Sequence, residues 1–282
     1  MQLRASYGLC LLLLALPTYA DPILGSADNF AVLGGSAVTN TGPTTVNGDL
    51  GVYPGTSITN TNGITINGIA YSGSAVPPNN AGAATAQNDA TTARIGLGNM
   101  PVTSNLTGMD LGGLTLTPGI YAFNSSADLT GTLTLNGEGN PNALWVFITG
   151  STLTTASGSG AAVIHVIDAG SNDGIFWDIG SSATLGTYTN FEGNILASSS
   201  ITLDTGASIG CGSALASNGA VTMDTNTISA GCNGGGTITD GVVTPLPLPA
   251  TSPVPEPGSL LLLVTGLAVL FSWEVRYALK QS

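Results

Sequence analysis

The chain has 282 residues, with 16 Asp and Glu against 4 Lys and Arg, a net charge of −12 and only 7% charged residues. So acidic a chain excludes nucleic acid as a partner, because phosphate binding needs clustered cations, and it disfavours an anionic membrane surface. Three cysteines and one histidine are too few for a structural metal centre, so no metal or cofactor is expected.

The chain opens with Arg4, an apolar run from Leu9 to Leu16, then Thr18 and Ala20 at the third-last and last positions before Asp21. That order is a signal peptide cut after Ala20. Its apolar run, which carries Cys10 away with it, is too short to cross a bilayer of about 30 Å. From Asp21 to Pro253 the only cation is Arg94, against the fourteen acids left when Glu256 and Glu274 are taken from the total of 16. Roughly 230 residues remain, enough for one large all-β domain.

Residues 77–96, PPNNAGAATAQNDATTARIG, are Ala-rich, with Asn ahead and Gly behind. They predict one substantial helix over about 79–96, with Ala83, Ala86, Ala90 and Ile95 as a thin apolar stripe. Its expected role is to cover a sheet face.

Beyond it, apolar residues alternate with Thr in LTLT (114–117), TGTLTLNG (130–137) and STLTT (151–155). Period two predicts strands, with Leu129, Gly131, Leu133 and Leu135 facing one way and Thr130, Thr132 and Thr134 the other. Asp168, Asp173 and Asp178 recur every five residues and read as polar turns, and His165, in the apolar run AAVIHVI, as a packed or surface residue. A glycan-cleaving enzyme would use paired carboxylates. Binding an acidic glycan would also require cations that this chain lacks, so no enzyme is expected.

Spacing turns the strands into an architecture. SSITLDTG (199–206) and NGAVTMDTN (218–226) superpose at an offset of twenty, placing Thr202 on Thr222, Asp204 on Asp224 and Thr205 on Thr225, and Thr184 precedes Thr202 by eighteen. These are solenoid-coil lengths; without the spacing a β-sandwich would carry equal weight. Stacked coils would bury Leu185, Ile201, Leu203, Val221 and Met223 and show Thr184, Thr202 and Thr222 as an outward ladder. Cys211 and Cys232 stand about one coil apart. Neighbouring coils lie within disulfide reach and export favours oxidation, the competing reading being two buried thiols.

A Pro-rich stretch, TPLPLPATSPVPEP (244–257), leads to an apolar run from Leu260 to Trp273 and then Arg276 and Lys280. The domain is accordingly expected to span 21–243, with a linker at 244–253. The run is marginal for a permanent span, and the trailing cations hold the end in the cytoplasm. Val254, Pro255, Glu256 and Pro257 with the run and basic end resemble the PEP-CTERM sorting signal of Gram-negative bacteria. That resemblance implies processing by an exosortase, transient inner-membrane association over residues 254–282, and delivery to the cell surface or matrix.

Three blocks resemble the microbial ice-binding β-solenoid family in the right order: NFAVLGGSAVTNTGPTTVNGDLGVYPGT (29–56), NALWVFITGSTLTTASGS (142–159), and residues 176–228 from FWDIGSSATLG to VTMDTNTI. The resemblance covers nearly the whole mature part. It implies a right-handed β-helix of roughly triangular section, one long helix alongside, coils not stacked strictly in sequence order, and adsorption to ice through a flat Thr-rich face. The family motif T-A/G-x-T/N is met at three of four positions by Thr205-Gly206-Ala207-Ser208. Thr149-Gly150-Ser151-Thr152 fits by letters, and Thr155-Ala156-Ser157-Gly158 fails at its last position. Candidate ice-contacting residues are Thr152, Thr154, Thr184, Thr202, Thr205, Ser208, Thr222 and Thr225. The alternative partner is an extracellular polysaccharide, bound by a surface adhesin or matrix protein.

Overall fold

Strands of two to six residues, separated by Gly, Ser and Asn, bury their apolar side only by stacking on a like neighbour. The computed structural model describes residues 21–72 and 81–248, and over these the strands stack into a parallel β-helix with three long sheets. The leader and the C-terminal sorting segment lie outside the described residues.

Each complete coil contributes one strand to each sheet, and the end coils are incomplete. The helix-side sheet has nine strands, a second sheet, here called the threonine sheet, has seven, and a third has eight. Inside, Leu185, Ile201, Leu203, Val221 and Met223 are all buried, as their spacing predicts. A column of rings runs through the interior, Tyr121, Phe147, Trp177 and Phe191, with successive centroids 5.5, 3.9 and 5.0 Å apart.

Coil order departs from chain order. The N-terminal strands Phe30–Gly34, Ala37–Asn40 and Thr44–Asn47 stack on Ala214–Ala216, Val221–Met223 and Thr227–Ser229, so the last coil of the chain lies inside the stack. After Ala70–Tyr71, at one extremity, the chain must reach Ser104–Asn105 at the other. The helix Ala81–Gly98 makes that journey, its 18 residues spanning about 27 Å.

The helix covers the outer face of its sheet. Ala83, Ala86, Ala90, Ala93 and Leu97 pack on Phe30, Leu33, Val146, Phe176, Leu196 and Leu215. Ile95, expected in this stripe, is 53% exposed instead, because it stands five residues after Ala90, where the helical period carries it off the buried face. Gln87 donates to the carbonyls of Ala216 and Ser217, each at 2.9 Å. Asp178, expected in a turn, lies in the strand Gly174–Ile179, where its carboxylate meets Arg94 at 3.6 Å. Burial raises Asp178 to about 6 despite the guanidinium, and burial likewise raises Asp28 to about 6 against a hydrogen bond with Asn233.

Two boundaries differ from the sequence expectation. The alternation from Leu129 to Leu135 is not one strand: Ala127–Leu129 and Thr132–Asn136 belong to different sheets, and Gly131 turns the corner between them with φ 83°. Only glycine adopts that backbone without strain. Thr244 and Pro245, expected in the linker, complete the strand Val242–Pro245, which pairs with Gly236–Thr239 and through it with Asp21–Pro22. The compact unit accordingly runs on to Leu246.

Cys211 and Cys232 form a disulfide with Cα atoms 5.5 Å apart. Closing a loop of this length restricts the unfolded chain by about 3 kcal/mol, so Cys211→Ser with Cys232→Ser should lower unfolding free energy by about that amount in a urea titration. A second expectation concerns pH. Asp28 and Asp178 have folded pKa values above the ordinary 3.8, so the folded state holds their protons more tightly and their contribution is complete only below about pH 4. Stability should therefore fall from pH 4 to 7, read as a declining melting temperature, and Asp178→Asn should flatten part of that decline.

Candidate functional site

A solenoid offers three outward faces, and the site is the one able to present a regular, accessible array. The helix-side face is closed by the helix. The third sheet carries a mixed outward row: Thr132, Val163, Asn190, Ser208, Thr227, Thr45 and Thr65 lie in successive register. That sheet also shifts register between Phe191 and Glu192. Exposed His165 stands in the same strand as Val163. Burial raises the Glu192 carboxyl, which hydrogen bonding lowers and nearby Asp173 raises further.

The threonine sheet is regular. Its strands are Ala127–Leu129, Leu153–Thr155, Ala183–Leu185, Ile201–Leu203, Val221–Met223, Ala37–Asn40 and Ser57–Asn60, in that spatial order. The central outward residues stand in direct register: Asp128, Thr154, Thr184, Thr202, Thr222, Thr39 and Thr59. Six threonines follow one another with no register shift, at a strand spacing of about 4.8 Å. The residues flanking each threonine from Thr154 to Thr39 are buried inward, so β-branched side chains fill the outward position without strain.

A second row lies one step earlier in each coil. Thr152 Oγ1 donates to Ser126 Oγ at 2.8 Å, and Ser182 Oγ accepts from the Ser200 amide at 3.3 Å. Alternate residues along a strand are about 6.6 Å apart, so the two rows form a grid of small side chains, polar at Ser126, Thr152, Ser182, Ser200 and Ser57 and interrupted by Ala220 and Ala37.

The sequence candidates divide among three places. Thr154, Thr184, Thr202 and Thr222 form the ladder and Thr152 the second row. Thr205 and Thr225 sit at the corner between the threonine sheet and the third sheet, and Ser208 lies round that corner on the third sheet. Thr205-Gly206-Ala207-Ser208 is itself the corner, with Gly206 at φ 75° and Ala207 fully buried. Thr149-Gly150-Ser151-Thr152 straddles another corner, with Thr149 buried at the end of a helix-side strand.

The expected superposition of Thr205 on Thr225 does not occur. Leu203 pairs with Met223 and Ser208 with Thr227, which leaves four residues, 204–207, opposite three, 224–226. Thr205 Oγ1 consequently donates to Asp224 Oδ2 at 2.5 Å, and Thr225 Oγ1 to Asp224 Oδ1 at 3.1 Å. Asp224 thus stands beside the ladder with its charge tied to hydroxyls, outside the central row.

Thr39 and Thr59 were not among the sequence candidates, although they prolong the ladder. The signal that could have found them is the match of AVTN (37–40) and SITN (57–60) at another offset of twenty.

Among the described residues one group brings potential metal ligands together. Glu192, Cys211 and Cys232 bring potential ligand atoms within 4.8 Å of one another, but the two sulfurs are bonded together and supply no thiolate.

Residues 32–229 match the family model for ice-binding-like proteins. The chain belongs to the ice-binding-like family. This ice-binding-like chain is 47% identical over 262 residues to an ice-binding protein of Nostoc sp. (strain HG1), covering 90% of this chain and 87% of that relative. Among solved structures it is similar to an ice-binding protein from an Antarctic biological consortium, at 42% identity and a TM-score of 0.66, with 74% of this chain and 90% of that one covered. It is also similar to the Shewanella frigidimarina ice-binding protein_1 domain, at 31% identity and a TM-score of 0.66, over 75% and 98% of the two chains.

A local expectation follows from the corner. Thr205→Val removes the hydroxyl donated to Asp224 but keeps the shape of the side chain. The variant should lose about 1 kcal/mol of unfolding free energy in a urea titration, because a hydrogen bond to a charged group across the corner is lost.

Proposed function

We propose that this chain is an exported, non-catalytic ice-binding protein that adsorbs to ice through the threonine sheet. The observation that carries this reading is the unbroken register of Thr154, Thr184, Thr202, Thr222, Thr39 and Thr59. Hydroxyls and methyls held at a fixed repeat order water at the same repeat, and that water joins a crystal lattice. Because the sheet holds the side chains in place beforehand, little conformational entropy is lost on adsorption, and bridging water serves nearly as well as a direct hydrogen bond. The naming of the relatives as ice-binding proteins supports the same reading. The polysaccharide alternative has no comparable support on this face, whose central row contains only Thr and one Asp.

Thr152, Thr154, Thr184, Thr202 and Thr222 are proposed contacts together with Thr39 and Thr59, while Thr205, Thr225 and Ser208 border the surface. Export rests on the leader, on a disulfide suited to an oxidising compartment, and on the pairing of Asp21 directly with Ile238. A mature chain beginning at Asp21 would start inside the fold. The PEP-CTERM-like segment, with Pro255, Glu256 and Pro257, would pass the protein to an exosortase and on to the cell surface of a Gram-negative bacterium. No helix among the described residues is long and apolar enough to cross a membrane.

The test is to raise bulk on the ladder. Thr202→Tyr with Thr222→Tyr should reduce thermal hysteresis and recrystallisation inhibition by roughly tenfold or more, equivalent to about 1.4 kcal/mol of adsorption free energy. Thr134→Tyr, on the third sheet, should leave both nearly unchanged. Loss only in the Thr134 variant would assign the activity to the third sheet, and absence of activity in the folded parent would end the ice-binding reading.

A further inference from the structure

The two ends of the solenoid are built differently. At the end formed by Ser104–Asn105, Thr115–Leu116 and Ala127–Leu129, a loop folds over the interior with Leu111 fully buried and Leu106 8% exposed. Asp110 bridges to Asp128 at that edge and accepts from the amides of Gly112 and Thr130. Carboxylates on an outermost strand oppose the addition of another chain.

The opposite end has neither device among the described residues. Its outermost strands are Ser57–Asn60, Ile64–Ile66 and Ala70–Tyr71, and no described strand pairs with their outer edges. Ile58 and Ile66 stand in register with Val38 and Val46, which are fully buried. Ile58, Ile64 and Ile66 themselves are only half-buried, and nearby Ile69 is 57% exposed. This end is also neutral: in a chain of net charge −12, no Asp, Glu, Lys, Arg or His occurs between Asp49 and Asp89.

We propose that this neutral end is a self-association surface, on which two copies of the chain stack end to end about a two-fold axis. The occupant must offer unpaired strand edges and an apolar row, and a second copy offers both. A two-fold axis across the end turns equivalent edges antiparallel, a pairing backbone groups accept. Neutrality selects the place, since elsewhere two such acidic molecules repel each other. With the axis through the threonine-sheet edge, the third-sheet edge of one copy meets the helix-side edge of the other, and the two ladders join at Thr59. The consequence rests on the ice-binding reading: six threonines per copy would become one ladder twice as long. The association itself does not depend on ice.

The experiment uses the full chain in mild detergent with Cys10→Ser, leaving Cys211 and Cys232 in their disulfide. Thr59→Cys, treated with a short bis-maleimide, should give a covalent dimer, and Asp128→Cys at the capped end should remain monomeric. Without cross-linking, Thr65→Asp, an exposed change that puts like charges at the junction, should halve the mass measured by sedimentation. A parent chain that sediments as a monomer would overturn the proposal. Equal cross-linking at both ends would overturn it as well. None of these readouts involves ice, so they separate this proposal from the assignment of the ladder.

Discussion

The structure depends on one constraint: parallel strands of successive coils hydrogen-bond at a fixed spacing, and each coil therefore places its side chains on those of its neighbour. Inside, this yields the apolar columns and the ring stack from Tyr121 to Phe191. Outside, it yields rows of identical side chains at a repeat near 4.8 Å. The same register that buries Ile201 on Val221 sets Thr202 on Thr222. The face proposed to meet ice is thus a by-product of the core, and no local motif is needed to make it.

The other parts of the molecule keep that lattice stiff and leave one side of it free. The helix occupies the helix-side sheet and carries the chain from one end of the stack to the other. The Asp178–Arg94 pair and the hydrogen bonds from Gln87 fix it at two points in a largely apolar contact, the first at the cost of burying a carboxyl. The disulfide ties Cys211 to Cys232, where the chain leaves the solenoid after its last coil. The bulge between Phe191 and Glu192 interrupts the third sheet, while the threonine sheet keeps its register throughout. Charge follows the same division, for Asp204 and Asp224 stand at the corner and Asp128 at the ladder's end.

Much of this was legible in the sequence because offsets of eighteen and twenty residues preserve side-chain facing from Thr184 through Thr202 to Thr222. Leu185, Ile201, Leu203, Val221 and Met223 could be placed inside, and Thr184, Thr202 and Thr222 outside, from spacing alone. What escaped depended on corners and on long-range order. Leu129 and Leu133 both face the core, yet Gly131 between them turns from one sheet to the next, which period-two counting does not register. One extra residue in the corner 204–207 shifted Thr205 from Thr225 to Asp224. Thr39 and Thr59 lie beyond Thr222 only because the N-terminal coils dock on the last one, a pairing across about 180 residues that no local pattern encodes. Asp178 was read as a turn residue because a buried acid in a strand is intelligible only once its cationic partner on the helix is known.

The most direct measurement is an atomic-resolution crystal structure with the threonine sheet clear of neighbouring molecules. A preorganised lattice requires Thr39, Thr154, Thr184, Thr202 and Thr222 to share one χ1 rotamer, with ordered waters in files between them repeating every coil. Mixed rotamers along the ladder, or water that follows no coil repeat, would contradict it.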